Sequence, residues 1–240
     1  MKAKLLACYR SQQFDPGWVG LFINPFFLAR RRLWRSMQRH AGELHGRLLD
    51  VGCGSKPYRS LFRVDAYVGL DIDSAATRRR GVADVFYDGG RFPFEDTSFD
   101  SVLCNQVLEH VFNPDHFLEE IRRVLRPGGR LLLTVPFVWD EHEQPWDYAR
   151  YSSFGLRALL ERHGLTVRRH DKLLDDASML FQLANAYLYK VGRSRSTIIN
   201  LLFAAAVHAP VSMLGWLVGW LLPRNPDLFL DQLVVAEKPA

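Results

Sequence analysis

Four polar residues fall at the ends of apolar runs in the first half of this chain. Asp50 closes Leu48-Leu49-Asp50-Val51, and Asp71 closes Ala66-Tyr67-Val68-Gly69-Leu70-Asp71. Asp88 follows Ala83–Tyr87, and Asn105 follows Phe99–Cys104. Asp50 runs directly into Gly52-Cys53-Gly54-Ser55. Glycines there allow positive φ and let a ligand approach the main chain. An acid just ahead of such a turn suits an ammonium or a sulfonium, not a diphosphate. The dinucleotide fingerprint would need a third glycine three residues after the second, and Pro57 stands there. An acid closing the second strand can accept hydrogen bonds from both hydroxyls of a ribose. That is the role expected of Asp71, with Ile72 packing on the attached base. Asp50 and the backbone of Gly52 and Gly54, with Asn105 nearby, face the other end of the ligand.

A second group of residues could handle a proton. Glu109-His110 comes soon after Asn105, and the loop Pro136–Tyr151 holds Trp139, Asp140-Glu141-His142-Glu143, Trp146, Asp147, Tyr148 and Arg150. Long polar-aromatic loops at a ligand edge carry function more often than packing. His142 between two glutamates is the first candidate for a general base and His110 the second. Trp139 and Trp146 could stack on a sugar face or a flat ring. For Asp147 and Arg150 a substrate role competes with a simple structural ion pair. No metal is expected, because no second histidine stands at helical or hairpin spacing from His142.

These residues need a scaffold that brings strand ends together. Arg47–Val51, Ala66–Asp71, Ala83–Tyr87, Phe99–Cys104, Arg130–Val135, Leu165–His170 and Leu228–Ala236 have strand character. Helices are expected at Phe26–His40, at Tyr58–Arg63, after the cap Asn113-Pro114, and from Ser153 to about His163. Alternation at this spacing predicts an α/β, doubly wound, mostly parallel Rossmann-like sheet. In such a sheet ligands bind beyond the carboxyl ends of the strands, where the residues above lie.

The acid-glycine turn, the acid after the second strand and Asp88-Gly89-Gly90-Arg91-Phe92-Pro93 together resemble the class I S-adenosylmethionine-dependent methyltransferases. The similarity is to their small-molecule "type 11" group, over roughly residues 45–172 and the last strand. It implies S-adenosylmethionine as cofactor and a role for Asp88 in accepting from the adenine amino group. The pattern His142-x-x-Pro145-x-Asp147-Tyr148-x-Arg150-Tyr151 resembles methyltransferases of bacterial surface-polysaccharide pathways. It implies O-methylation of a saccharide or lipid-linked small molecule. A quinone or other small-molecule acceptor, and a non-catalytic scaffold of the same fold, are the alternatives.

Composition narrows the partners. The 240 residues carry a formal charge of +5 and are 48% hydrophobic, enough for a core. The arginine runs at 30–32 and 78–80 read as solvated faces, and no nucleic-acid motif accompanies them. Three unpatterned cysteines, Cys8, Cys53 and Cys104, argue against disulfides or zinc and for a reducing, cytoplasmic setting. The start Met1–Cys8 is leader-like, but its apolar part is too short for a signal. Residues 198–222 carry no formal charge, exceed the length of a candidate span, and are flanked by Lys190, Arg193, Arg195 and Arg224. If residues 228–236 return to the sheet, a single crossing is excluded. What remains is peripheral contact with the inner membrane face, a homodimer interface, or a lid. The expected organisation is an N-terminal cap and amphipathic helix (1–44), a methyltransferase domain (45–173 and 227–240) and a hydrophobic helical insertion (174–226).

Overall fold

The computed structural model describes residues 9–240, so the expectations for Met1–Cys8 lie outside it. Strands β1 (Arg47–Val51), β2 (Ala66–Ile72), β3 (Val85–Tyr87), β4 (Phe99–Asn105), β5 (Leu125–Pro136), β6 (Thr166–Leu173) and β7 (Asp231–Glu237) form one sheet. Their order is β3-β2-β1-β4-β5-β7-β6. β1 pairs in parallel with β2 on one side and with β4 on the other, and β2–β3 and β4–β5 are parallel too. The winding therefore reverses beside β1, which opens a crevice between the loops that follow β1 and β4. Leu48, Leu49 and Val51 are fully buried, as a strand covered on both faces requires.

Helices α1 (Trp18–Ile23), α2 (Phe27–His40), α3 (Ala75–Arg80), α4 (Pro114–Val124), α5 (Ser153–Arg162) and α6 (Ser178–Gly192) accompany the strands. Helix α7 (Thr197–Leu221) includes a π-helical turn at Ala204–His208. α4 starts as its sequence dictates: the Asn113 side chain accepts from the His116 N–H, Pro114 occupies the first turn, and Phe117, Leu118, Ile121 and Val124 are buried.

Three local expectations are corrected. The helix expected at Tyr58–Arg63 is only a single 3-10 turn, Arg59–Leu61. Lys56 has φ +53° and Pro57 follows it, so the chain turns where a helix would have begun. The cap of α5 is Ser152, not Ser153; its Oγ accepts from the Gly155 N–H. β5 begins five residues before Arg130, because Gly128 and Gly129 bond with Lys238 and carry the ladder through the Pro-Gly-Gly turn.

The chain divides into two compact units. The sheet unit comprises Met37–Phe137, Glu141–Asp171 and Gln232–Ala240. The helical unit comprises the described residues up to Ser36, Val138–Asp140 and Lys172–Asp231. The N-terminal helices and the insertion, expected as separate additions, thus form one body with a core of Leu21, Phe27, Leu28, Met179, Ala209 and Leu230.

Within the helical unit, α6 and α7 run antiparallel, with polarity inverted relative to a water-soluble pair. Most of the residues buried along them are small or polar (Ser178, Gln182, Asn185, Ala186, Ala204, His208, Ala209, Ser212 and Gly215), with Met179 the large apolar exception. Asn185 donates from Nδ2 to Ser212 Oγ at 2.9 Å and to the His208 carbonyl at 3.2 Å. Buried Gln182 accepts from the Ala29 N–H and donates to the Pro25 carbonyl. A Cβ on Gly215 would lie 2.6 Å from Phe181 Cβ, and one on Gly219 would lie 3.1 Å from Ser178 Cβ, so this Gly-x-x-x-Gly face sets the close approach. The outward positions are apolar: Ile198, Leu202, Leu214, Leu217, Trp220 and Leu221 are all more than half exposed.

Candidate active site

The turn after β1 is shaped for a ligand. Gly52 and Gly54 have φ of +69° and +53°. A Cβ on Gly52 would come within 2.5 Å of Val107 on the loop after β4, so glycine there is also required by packing. A Cβ on Gly54 would meet nothing closer than 3.7 Å. The main chain at Gly54 is therefore open on one side.

Asp71, at the tip of β2, is buried and reaches this turn. Its Oδ2 accepts from the Gly54 N–H at 3.2 Å and its Oδ1 from the Ile72 N–H at 2.9 Å, with Arg80 3.5 Å away. Ile72 is 41% exposed beside it, and its Cδ1 lies 3.2 Å from where a Gly89 Cβ would project. Ile72 and the Asp88-Gly89 turn are thus brought together as an apolar shelf with an acid at its edge. Asp88 is exposed and accepts from the Gly90 N–H at 2.9 Å. Asn105 joins the site from β4, where its Oδ1 accepts from Thr134 Oγ1 at 2.8 Å.

Asp50 departs from expectation. It is buried, and Tyr67 donates to its Oδ2 at 2.5 Å. Burial pushes the Asp50 carboxyl up to about 7, against the opposing pull of the Tyr67 hydrogen bond and of Lys56. Lys56 is itself paired with Asp84 at 2.6 Å, and Arg59 lies 4.4 Å over the Tyr67 ring. Asp50 is therefore the centre of a network that anchors the turn on β2, and that network takes the place of the missing helix. Nothing in the sequence singled out Tyr67, since only the strand register brings it to Asp50. Cys53 is no nucleophile: burial and the Asp50 charge push its thiol up to about 12.

The loop after β5 divides between the units. Trp139, expected at the acceptor, packs instead into the helical unit's core, 5.7 Å from the Phe26 ring. Residues 141–151 belong to the sheet unit and are pinned to the turn after β4: the Tyr148 and Ala149 N–H groups donate to the Glu109 carbonyl. For Asp147 and Arg150, where a substrate role competed with a structural ion pair, the structure has the pair, two-pronged at 2.6 Å. Burial works against the Asp147 charge, but the bonds from Arg150 and from the His142 N–H hold its carboxyl at about 2. The acid facing the His142 ring is Asp147, with Oδ2 3.3 Å from Nδ1, rather than the flanking glutamates, which are exposed.

This arrangement orients two imidazoles. A carboxylate beside Nδ1 of His142 favours the proton there and makes Nε2 the basic nitrogen. His110 Nδ1 lies 2.6 Å from the Trp146 carbonyl and must donate to it, which leaves its Nε2 basic as well. The two rings meet edge to face at 4.7 Å. Fully buried Glu109 joins them: its carboxylate and one nitrogen of each ring lie within 4.8 Å of one another. The fold therefore supplies the second histidine that spacing alone lacked, and the three donors could bind either a shared proton or a divalent cation. Trp146 (62% exposed) and Tyr148 (44% exposed), the latter against Phe112, stand at the rim.

A doubly wound sheet whose switch point carries an open glycine turn, an acid on the second strand tip and an exposed apolar side chain beside it suits a nucleoside-type cofactor, with a proton-handling cluster in the same unit. Comparison with known proteins gives that class its name. Residues 49–133 match the methyltransferase domain family. An uncharacterized methyltransferase of Mycolicibacterium gilvum is 35% identical over 98% of this chain and 93% of its own. A fatty-acid O-methyltransferase of Mycolicibacterium smegmatis is 37% identical, but over only 43% of this chain and 42% of its own length. Among solved structures, a phosphoethanolamine N-methyltransferase of Haemonchus contortus in complex with S-adenosyl-L-methionine superposes with a TM-score of 0.55 at 17% identity, covering 94% of this chain and 58% of that one. The chain belongs to the S-adenosylmethionine-dependent methyltransferases, and S-adenosylmethionine is its cofactor.

The residues present fit that molecule. The main chain at Gly54 is open on one side, Asp71 beside it would hold the ribose, and Ile72 with Asp88-Gly89 would hold the adenine. The Asp50 network supports the turn from beneath.

Proposed function

We propose that this chain O-methylates a saccharide or lipid-linked small molecule at the cytoplasmic face of the membrane. The observation that carries the membrane part is the inverted polarity of α6 and α7. Hydrogen-bonded polar side chains inside an apolar-faced helix pair are the pattern of helices whose surroundings are less polar than their interface. α7 is long and apolar enough to cross a bilayer. However, the chain leaves the sheet from β6 and re-enters it at the neighbouring β7, so both ends of the segment stay on one side. The pair is a peripheral or re-entrant hairpin.

The oxygen acceptor is supported by the histidine cluster. A bound S-adenosylmethionine supplies an electrophilic methyl group on a good leaving group, so the protein's task is alignment and removal of the acceptor proton. His142, oriented by Asp147, accepts that proton at Nε2; His110 and buried Glu109 share the charge that results. An amine acceptor would need less of this machinery. The similarity to a fatty-acid O-methyltransferase supports an oxygen on an amphiphile, and exposed Trp146 supports stacking on a sugar face.

The test is methyl transfer from labelled S-adenosylmethionine into a membrane extract of the source cells. Label in a lipid-extractable, saccharide-containing fraction is expected. Label confined to protein, or to compounds that are neither saccharides nor lipid-linked, overturns the assignment.

A further inference from the structure

The helical unit contains a cavity of about 300 Å³, at the lower end of the range for small-ligand sites. Arg31, Arg32 and Arg35 from α2 line one side of it, and Trp18, Trp216 and Trp220 line its mouth. Asp176, the acid in its lining, is already engaged: Arg32 donates to Oδ2 at 2.8 Å, and Ser178 Oγ donates to Oδ1. Arg31 donates one N–H to the Pro16 carbonyl at 3.0 Å and stacks 5.6 Å from the Phe27 ring. Neither contact offsets its charge. Arg35 is exposed and stands near enough to repel it, while Asp15 exerts a weaker attraction. Two cations are thus held together in a cavity whose acid is already paired.

The rim of this cavity identifies its ligand. Trp220 is 79% exposed, Trp18 70% and Trp216 55%, and Trp18 and Trp216 meet edge to face at 6.2 Å. Tryptophans gather at the depth of lipid headgroups because one end of the indole is apolar and the other is a donor. The same helix continues outward as the apolar face of Leu214, Leu217 and Leu221. Arginine forks suit phosphate oxygens. Given the membrane reading above, on which this step rests, we propose that the cavity receives the phosphate of an anionic phospholipid headgroup, held by Arg31 and Arg35 between the tryptophans. The proposal concerns membrane docking and assigns no part in methyl transfer to these residues.

The test is vesicle flotation of the full chain, using phosphatidylcholine vesicles with and without phosphatidylglycerol. The variants are Arg35→Gln, Arg31→Gln with Arg35→Gln, and Trp220→Ser. An unchanged melting temperature and far-UV circular dichroism spectrum report that each is folded, and Arg35→Gln removes no hydrogen bond or ion pair that the structure shows. The wild type should prefer phosphatidylglycerol vesicles. The single arginine variant should lose about fivefold of that preference and the double variant more than tenfold, the scale for cationic side chains at an anionic surface. Binding to phosphatidylcholine should stay unchanged in both. Trp220→Ser should weaken binding to both vesicle types. A phosphatidylglycerol preference that survives the double variant overturns the headgroup site and leaves the membrane reading standing. So does a preference equally well displaced by free glycerol phosphate, which would mark the cavity as a soluble-phosphate site. No binding of the wild type to either vesicle, with elution as a dimer, overturns the membrane reading itself and assigns the apolar face to a second copy.

Discussion

Alanine substitutions at Gly52 and Gly54 separate ligand binding from packing within a single turn. Both glycines have positive φ, so alanine at either costs about 1–2 kcal/mol of backbone strain. At Gly52 the added Cβ would also lie 2.5 Å from Val107, and relieving that overlap costs roughly another 1–3 kcal/mol. Gly52→Ala should therefore lower the melting temperature by roughly 4–20 °C, and Gly54→Ala by roughly 2–8 °C, at about 2–4 °C per kcal/mol for a chain of this size. Binding should follow a different order. The Gly54 Cβ would project into open space; with the cofactor seated over this turn, Gly54→Ala should weaken S-adenosylhomocysteine by tenfold or more despite its milder effect on folding. Differential scanning fluorimetry with and without ligand, together with titration calorimetry, measures both quantities. Wild-type affinity in Gly54→Ala would refute the placement of the cofactor over this turn. A melting temperature for Gly52→Ala no lower than that of Gly54→Ala would refute the packing argument.

Other consequences follow from the same geometry. Asp71→Ala should weaken S-adenosylhomocysteine by a few kcal/mol, the loss that accompanies charged hydrogen bonds to hydroxyls; unchanged calorimetric affinity removes the ribose assignment. Asp50, with its folded pKa raised to about 7, favours the protonated fold. Stability should be greatest below about pH 4 as far as this group is concerned and should fall by a few kcal/mol as pH rises to about 7, and Asp50→Asn should flatten that slope in urea melts. Asp147, held at about 2, has the opposite sign: its contribution of about 2 kcal/mol is present above about pH 4 and is lost as pH falls through 2, and Asp147→Asn should abolish it. His142→Ala should cut methyl transfer by about 10²–10⁴ with little change in cofactor affinity, and activity should survive a chelator. Inhibition by a chelator, reversed by added zinc, would instead make Glu109, His110 and His142 a cation site.

The sheet and its cofactor edge were legible in the sequence because each depends on local signals. An apolar run of strand length ending on an acid, followed by glycines, specifies a strand tip and a turn with no knowledge of the rest of the chain. Asp71, Ile72, Gly52, Gly54 and Asn105 all lie where that logic places them. The errors arose where a residue's role is set by a partner distant in sequence. Asp50 was read as open to a ligand because Tyr67 faces it only through the β1–β2 register. For Asp147 and Arg150 the sequence offered both a substrate role and an ion pair, and the i,i+3 pair is what forms, because the two side chains reach each other within one turn of the loop. Trp139 and Trp146 were read together because they share a loop, yet that loop passes from one unit to the other between them. The pairing of His110 with His142 was invisible for the same reason. In contrast, the Gly215-x-x-x-Gly219 spacing was present in the sequence and would have announced the close packing of α6 and α7.

The outward face of that helix pair is too apolar to be left in water without consequence. Burying a half-exposed leucine or isoleucine further is worth about 1 kcal/mol. Ile198, Leu202, Leu214, Leu217, Trp220 and Leu221 together then offer several kcal/mol, enough for reversible membrane residence but short of irreversible insertion. A dimer could use the same area, but an anionic bilayer presents both an apolar interior to this face and phosphates to Arg31 and Arg35. The face can be tested without disturbing the fold, because Leu217 and Leu221 point away from the Asn185–Ser212 contacts. Leu217→Ser with Leu221→Ser should leave the melting temperature of the detergent-free protein nearly unchanged, as surface substitutions do. It should reduce retention on vesicles by about tenfold. Gly215→Leu should instead drive α6 and α7 apart and lower the melting temperature. If the serine pair destabilises the protein as much as Gly215→Leu does, the outward face is an internal core in solution and the membrane assignment fails.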